Sequence, residues 1–192
     1  VFDKYFESRL IPMYGRTIHT KDGEEIFQPY SNKKAHFINS ISRADINKIL
    51  LDAAEKTNKV TLNFDTKCDK VDLDNNKMYF GKNIIDVQSP IIGTDGYKSV
   101  VNHAISKKQN APVNYLDIEH SYKELTIDSK NNEFQLEPNS LHIWPRRDMM
   151  MIALPNLDKS FTCTLFMKSS GLDSFESIKT DHALMAFFEE HF

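Results

Sequence analysis

The stretch at residues 141–167 constrains the fold more than any other, because its apolar side chains follow the two-residue period of β-strands. Its central part has two apolar faces, formed by Met150, Ile152 and Leu154 on one side and by Met149, Met151 and Ala153 on the other. A strand with two apolar faces is typical of the middle of a sheet that is covered on both sides. We therefore predict three short strands that form one broad apolar wall, which either closes a core or lines a pocket.

Composition and charge exclude several classes of protein. The 192 residues are 40% hydrophobic, which is enough for one large or two small domains with a buried core. There are 24 basic and 27 acidic residues, a net charge of -3, and no dense Lys/Arg tract, so we expect no nucleic-acid partner. No apolar run approaches the roughly 20 residues that a transmembrane helix needs, and the start has no signal-peptide pattern. We therefore expect a soluble, cytoplasmic chain without a membrane segment.

The cysteines and histidines give no support for a disulfide or a metal site. Cys68 and Cys163 lie far apart and outside any CxxC spacing, which predicts reduced thiols in a reducing compartment. The histidines form neither an HxxxH nor an HExxH spacing, so we predict no bound metal. We give no weight to a catalytic cysteine.

Turn and capping signals divide the chain into short elements of mixed type. Asp22-Gly23 predicts a hairpin over residues 10–30, and Ser42 with Asp45 predicts a capped helix that ends near residues 56–58. The other predicted elements are strands at 36–41, 60–64 and 90–92, a hairpin at 71–80, a helix at 97–105, nearly continuous strand over 115–167, and a helix at 181–191. The fold class is therefore α+β or mixed α/β, with a β-rich second half. The GxGxxG loop of a dinucleotide-binding domain is missing, and we interpret the chain as an interior piece of a longer protein.

The Gly-Thr-Asp-Gly turn at residues 93–96 is a candidate phosphate site. It follows a predicted strand and precedes a predicted helix, where backbone N–H groups and the helix dipole favour an anion. Asp95 offers a carboxylate to a ribose or ribityl hydroxyl. An ordinary Asp-Gly turn is the alternative, and such turns are common.

Arg16 and Tyr30 lie on the two strands of the predicted hairpin, so both can project into one cavity. A guanidinium binds a carboxylate through two parallel hydrogen bonds, and a tyrosine hydroxyl can add a third. The pair therefore suits an amino acid or an aromatic acid. The alternative is an exposed arginine beside a half-buried tyrosine.

Three further side chains have two interpretations each. Arg43 stands in the first turn of the capped helix, where the dipole disfavours a cation, so it contacts either a cofactor or a neighbouring acid such as Asp45. Arg146 and Arg147 are predicted to form a solvated turn, and Trp144 is predicted to belong to the core rather than to a site.

The residues also carry a resemblance along nearly the whole chain. The motifs are PM at 12–13, GRTIH at 15–19, QPY at 28–30, SR at 42–43, GTDG at 93–96, YKELTI at 122–127, LHIWPR at 141–146, MMIALPN at 150–156 and SFTCTLFM at 160–167. In this order they resemble the kynurenine 3-monooxygenases, which are flavin-dependent aromatic hydroxylases. The resemblance implies hydroxylation of L-kynurenine to 3-hydroxykynurenine with FAD, NADPH and O2, in tryptophan catabolism by the kynurenine pathway.

The same resemblance assigns roles to individual residues. By analogy with the family, Arg16 grips the substrate carboxylate, Tyr30 lies beside it, and the apolar pocket around the ring consists of Leu141, Ile152, Leu154 and Phe166. The residues that match cofactor contacts are Arg43, Cys68, Asp95 and Gly96. The family's pattern implies no catalytic side chain and no metal ligand, because the flavin performs the chemistry.

Fold and domains follow from the resemblance as well. It implies that residues 1–110 are part of an FAD-binding α/β domain that lacks its GxGxxG unit here and carries the substrate-contacting hairpin 10–30. Residues 111–192 are then a β-rich substrate domain with a C-terminal helix. The turn at 93–96 departs from the wider class, because Ser99 is present but Asn102 replaces the usual arginine.

Three alternatives stay open at this point. The main interpretation is that the chain is part of a working hydroxylase and is inactive alone. The first alternative is an isolated substrate-domain fragment that catalyses nothing. A non-catalytic β-rich binding module and a flavin hydroxylase of another aromatic acid are the others.

Overall fold

A computed structural model describes residues 5–33 and 35–192 of the chain. In chain order the elements are a short 3-10 helix (Glu7–Arg9), β1 (Ile11–Met13), β2 (Gly15–His19), β3 (Glu25–Pro29), β4 (Ile38–Ser40), α1 (Arg43–Glu55), β5 (Lys70–Asp72), β6 (Lys77–Phe80), β7 (Asn83–Asp86), α2 (Val100–Gln109), β8 (His120–Ile127), β9 (Ser140–Arg146), β10 (Met149–Pro155), β11 (Phe161–Lys168) and α3 (Asp181–His191). The predicted mixed α/β class with a β-rich second half is confirmed.

Contacts divide the chain into two compact units. The first contains residues up to 57 together with 118–192, and the second contains residues 58–117. This division concerns contacts within the present chain. The boundary near residue 110, which concerns the domains of a longer protein, stays a prediction.

The first unit is built on a six-stranded sheet with the order β3-β2-β9-β10-β11-β8. The predicted hairpin is present as β2 and β3, and its turn contains Gly23 with a φ of 83°, a value that glycine adopts without strain. The predicted apolar wall is present as β9, β10 and β11, which pair antiparallel. A parallel pairing of β2 with β9 joins the hairpin to the wall.

The core lies on one face of this sheet. Its buried apolar side chains are Trp144, Met149, Met151, Ala153, Phe161, Cys163, Leu165, Met167 and Phe187, the last of which comes from α3. The opposite face, which includes Ile152, is only half-buried, and Met150 is 38% exposed. β10 is therefore central in its sheet as predicted, but the predicted cover on both faces is wrong for this chain, since Phe187 and the side chains around it pack on one face only.

Capping determines where the helices begin. The Oγ of Ser42 accepts a hydrogen bond from the N–H of Asp45 at 3.4 Å, and α1 ends at Glu55 close to the predicted position. At α3, the Oγ1 of Thr180 accepts from the N–H of Ala183 at 3.2 Å, and the helix covers the predicted residues. No helix in the described ranges is long and apolar enough to cross a membrane.

The second unit contains the three-stranded sheet β5-β6-β7 and the helix α2. The predicted hairpin at 71–80 is confirmed, whereas the strands predicted at 60–64 and 90–92 are wrong. Those segments pair with no strand in the described part of the chain, and Phe64 and Ile92 are 68% and 83% exposed. Short apolar runs form strands only where a partner strand accepts their hydrogen bonds, which a run of residues cannot specify alone.

Candidate functional site

Five of the six predicted substrate residues, all but Tyr30, lie on one face of the six-stranded sheet. Arg16 is paired with Leu141 across the parallel seam between β2 and β9. Ala153 is paired with His142, which places the next residue, Leu154, beside Leu141. We call this side the open face; its site residues are the exposed Arg16 and Gln28 and the half-buried Leu141, Ile152, Leu154 and Phe166. Strand pairing thus brings together side chains that are up to 150 positions apart, as are Arg16 and Phe166.

The open face has a charged end and an apolar end. Ile152 is paired with Ile143 and with Thr164, and Phe166 is paired with Met150 further along the same strands. Three strand spacings separate β2 from β11, which is about 14 Å at the usual distance of about 4.8 Å between neighbouring strands. The guanidinium and the aromatic ring of Phe166 therefore mark opposite ends of one surface.

The guanidinium of Arg16 is held by a neighbour on the same hairpin. Its Nε donates to Oε1 of Gln28 at 3.0 Å, and these two residues are paired in the hairpin register. Within the described residues this is its one side-chain hydrogen bond, so both terminal nitrogens keep their donors. Sequence reasoning gave Gln28 no role, although a three-residue turn at 21–23 pairs it with Arg16.

Tyr30 continues the same edge, just after β3. Its N–H donates to the carbonyl oxygen of Tyr14 at 3.0 Å, and its side chain is 38% exposed. Burial raises the pKa of the Tyr30 hydroxyl, and the positive charge of Arg16 acts in the opposite direction. The tyrosine is therefore neutral at pH 7 and can donate a hydrogen bond to an anion that Arg16 attracts.

The opposite face of the same seam is buried and polar. Thr17 and Ser140 share a 2.7 Å hydrogen bond between their hydroxyls, and Nε2 of His19 lies 2.8 Å from Nδ1 of His142. The ring of His19 stacks on Trp144 at a centroid distance of 4.1 Å, which confirms that Trp144 belongs to the core. Burial lowers the pKa of both histidines.

Arg146 corrects the prediction of a solvated turn. It is 8% exposed, and its guanidinium donates to the carbonyl oxygens of His19, at 2.9 Å, and of His191. It also lies 5.4 Å from the centre of the Phe192 ring. An arginine can satisfy several carbonyls at once because it has five donors, so it joins the ends of β2 and α3. Of the two arginines, only Arg147 lies in the exposed turn between β9 and β10, with a φ of 39°.

Arg43, the predicted flavin contact, is the first residue of α1 and is exposed. The alternative of an ion pair with Asp45 is absent, because Asp45 binds Arg9 at 2.9 Å. No side-chain hydrogen bond or ion pair of Arg43 occurs among residues 5–33 and 35–192. Its charge is therefore available to a ligand.

Asp95 and Gly96 form a helix-capping turn in the second unit. The carboxylate of Asp95 accepts from the Ser99 hydroxyl at 2.5 Å and from the N–H of Val100 at 2.8 Å, and the Ser99 bond lowers the pKa of Asp95. Gly96 has a φ of 81°. The turn and the following helix are present, but the strand predicted before them is not. These contacts favour the ordinary Asp-Gly turn, and a cofactor role for both residues stays a prediction.

Cys68 is half-buried beside β5 in the second unit. Its Sγ donates to the carbonyl oxygen of Lys70 at 3.6 Å. Its predicted contact with a flavin nucleotide uses a backbone group, which this side-chain bond does not occupy. That contact stays a prediction as well.

Relatives of known name match the chain in sequence. It is 40% identical to the kynurenine 3-monooxygenase of Myxococcus xanthus over 195 residues, which cover 95% of this chain and 40% of that protein. The kynurenine 3-monooxygenase of Sus scrofa is 40% identical over 189 residues, which cover 96% of this chain and 39% of that protein. The chain therefore spans about 40% of the length of these relatives. No protein-family model matches it.

Solved structures share the fold at low sequence identity. CtdE in complex with FAD and a substrate superposes with a TM-score of 0.70 and 12% identity, covering 98% of this chain and 49% of that one. HpxO of Klebsiella pneumoniae in complex with FAD superposes with a TM-score of 0.67 and 11% identity, covering 96% of this chain and 48% of that one. At such identities the likeness concerns the fold alone.

Proposed function

This chain is homologous over 95% of its length to kynurenine 3-monooxygenases, and we propose that it is the part of such an enzyme that holds the substrate. The reaction proposed for the whole protein is the hydroxylation of L-kynurenine to 3-hydroxykynurenine with FAD, NADPH and O2. It belongs to tryptophan catabolism by the kynurenine pathway. The chain alone is expected to be inactive, because it spans about 40% of those relatives.

One observation carries the proposal. Strand pairing brings Arg16 beside Leu141, which in turn lies beside Leu154, and Ile152 and Phe166 lie on the same open face. Together with Tyr30, these are the substrate residues that the resemblance assigned from the sequence alone. If the wall were only part of a structural core, it would not need a neighbouring arginine whose terminal nitrogens have no hydrogen-bond partner among the described side chains.

The open face suits both parts of an aromatic amino acid. The terminal nitrogens of Arg16 can bind a carboxylate through two parallel hydrogen bonds, and the neutral hydroxyl of Tyr30 can add a third. Leu141, Ile152 and Leu154 then contact the aminophenyl ring and exclude water from it. The protein thus supplies binding and orientation, which is its share of the work in a cofactor enzyme.

FAD, when bound, supplies the oxygen chemistry, and the chain offers residues that fit its phosphate and sugar groups. Arg43 fits best, because its guanidinium is exposed and has no partner among the described residues. Cys68 would contribute a backbone group. Asp95 and Gly96 would contribute the helix-capping turn. By analogy with the family, this turn is associated with FAD and NADPH.

A cytoplasmic location is part of the proposal. Cys68 and Cys163 are free thiols, which suits a reducing compartment. The proposed small-molecule partners are L-kynurenine and O2, and no nucleic acid is expected.

Turnover by the full-length protein tests the function. We expect the wild type to form 3-hydroxykynurenine in an NADPH-dependent reaction. Arg16→Ala should weaken L-kynurenine binding at least about 30-fold, since removing one partner of a charged hydrogen-bonded pair costs about 2–5 kcal/mol. Arg147→Ala is the matched control, because it removes an exposed arginine from the turn between β9 and β10. It should leave the affinity for L-kynurenine unchanged.

Two results would contradict this function. Turnover of 4-hydroxybenzoate but not of L-kynurenine would assign the protein to another aromatic acid. Absence of both flavin binding and kynurenine binding would favour a non-catalytic β-rich module.

A further inference from the structure

The two groups of predicted substrate residues meet at a single seam of the sheet. Arg16 lies on β2 and Tyr30 directly follows β3, whereas the apolar residues belong to β9, β10 and β11. Among the described strands, the pairing of β2 with β9 is the only one that joins the hairpin to the wall. It is also the one parallel pairing that the described strands form, and parallel pairing is slightly less stable per residue than antiparallel pairing.

Two hydrogen bonds between side chains cross this seam on its buried face; we call them the seam bonds. One joins Thr17 to Ser140 at 2.7 Å, and the other joins His19 to His142 at 2.8 Å. All four side chains are buried, with Ser140 at 0% and His142 at 1% exposure. Thr17 is paired with His142 in the strand register, so both seam bonds run diagonally, from a residue of β2 to one nearer the start of β9.

The chemistry of the histidine bond admits one arrangement of neutral rings. Nε2 of His142 lies 2.9 Å from the carbonyl oxygen of Glu137, which can only accept, so His142 donates there. Nδ1 of His142 is then unprotonated and accepts from Nε2 of His19. The ring of His19 is also held by its stack on Trp144 at 4.1 Å.

The seam bonds fix the position of Arg16 because the two faces of a strand move together. A slip of β2 by one residue would shift Arg16 by about 3.3 Å and turn it towards the core, and a slip by two would shift it by about 6.6 Å. Either slip separates both seam bonds and leaves buried polar groups unpaired. No buried side-chain N or O atom of the described residues lacks a partner as the seam now stands.

We propose that His19, His142, Thr17 and Ser140 are positioning residues that hold Arg16 at a set place beside the apolar wall. They thereby set the affinity for the carboxylate of an aromatic amino acid whose ring lies on that wall. This inference rests on the proposed function, because it takes Arg16 as the carboxylate-binding group. None of the four contacts the substrate in this scheme, because they lie on the other side of the sheet.

Binding of two ligands by the full-length flavoprotein tests the proposal. Calorimetry measures the Kd of L-kynurenine and of its decarboxylated analogue kynuramine for the wild type, His19→Leu, His19→Gln and Thr17→Val. The glutamine amide can still donate to His142, whereas leucine cannot. His182→Leu, at an exposed histidine in the first turn of α3, is the matched control.

We expect His19→Leu to weaken L-kynurenine binding about tenfold and to leave kynuramine binding unchanged, because only the former uses Arg16. His19→Gln should restore the wild-type Kd, and His182→Leu should not change it. If His19→Leu fails to fold, Thr17→Val, which removes one hydroxyl, should show the same selective loss at a smaller size.

Other results overturn the proposal in distinguishable ways. An equal loss for both ligands indicates a general structural role of the seam bonds. Unchanged L-kynurenine binding in both His19→Leu and Thr17→Val shows that the seam bonds do not set the position of Arg16. If the wild type itself binds no L-kynurenine, the proposed function fails, and this inference fails with it.

Discussion

Arg16 and Gln28 face each other across the β2–β3 hairpin, and Nε of the arginine donates to Oε1 of the glutamine at 3.0 Å. The bond uses the one guanidinium nitrogen that points back along the side chain and leaves the two terminal nitrogens for a ligand. Gln28 therefore orients the group that is proposed to bind the substrate carboxylate.

Changing the charge of Gln28 should affect binding more than removing its side chain. Gln28→Glu places a carboxylate against Arg16 and competes with the ligand, so we expect at least about tenfold weaker L-kynurenine binding, whereas Gln28→Ala should cost about threefold. Calorimetric Kd values check this in the full-length protein. Gln109→Glu, at the end of α2, is the charge-matched control and should not change the Kd of L-kynurenine. Equal losses of affinity in Gln28→Glu and Gln28→Ala would contradict the prediction.

Gly15 should not tolerate alanine. A Cβ there would lie 2.4 Å from the carbonyl oxygen of Gln28 and 2.6 Å from the ring of Phe27, and the first contact is with rigid backbone. We expect Gly15→Ala to destabilise the protein by about 1–3 kcal/mol. Gly81→Ala, where a Cβ meets nothing within 4 Å but φ is 60°, should cost about 1 kcal/mol from backbone strain alone. Chemical denaturation measures both, and a smaller loss in Gly15→Ala than in Gly81→Ala would refute the steric argument.

Stability should fall as the pH drops through the range where unfolded histidines titrate. Burial lowers the pKa of His19 and His142; for His19 the charges of His142 and Arg146 lower it further, and that of Glu25 opposes this. Below the unfolded value of about 6.5 the unfolded chain therefore binds more protons than the folded one, and each histidine reduces the free energy of unfolding by up to about 1.4 kcal/mol per pH unit.

Denaturation between pH 7.5 and 5 checks the prediction. That window lies above the ordinary carboxylate pKa values, so the carboxylates contribute little to the slope. We expect a smaller slope for His19→Gln, which removes one titrating ring. An identical slope in His19→Gln and the wild type would show that His19 does not titrate differently on folding.

Arg146 should resist replacement by lysine. Its guanidinium binds main-chain carbonyls of His19 and His191 and lies over the ring of Phe192. Lysine keeps the charge but has a single nitrogen, so some buried carbonyls lose their donor, and we expect a loss of about 2–3 kcal/mol. Arg147→Lys, at the exposed neighbour, should be neutral. Equal melting temperatures for the two variants would contradict this role.

Local signals in the sequence predicted the local structure. The hairpin around Gly23 and the helix that Ser42 caps form where turn and capping residues predict them, and the C-terminal helix forms where apolar residues follow a helical spacing. Each depends on hydrogen bonds and backbone angles within a few residues, so a short window of sequence contains the necessary information. The strand prediction at 60–64 failed because a strand depends on a partner that such a window does not contain.

The sequence by itself also determined the two apolar faces of residues 141–167 and, through its resemblance to relatives, which residues belong to the proposed site. It could not determine which face is buried, because Met150 and Met151 are equally apolar. Only the tertiary structure decided this: Phe187 and the core pack against the side of Met151, and the parallel pairing of β2 with β9 brings Arg16 to the other side. The pairing of β2 with β9 joins residues more than 100 positions apart. Its free energy comes from burial and pairing in the assembled sheet, which no local pattern encodes.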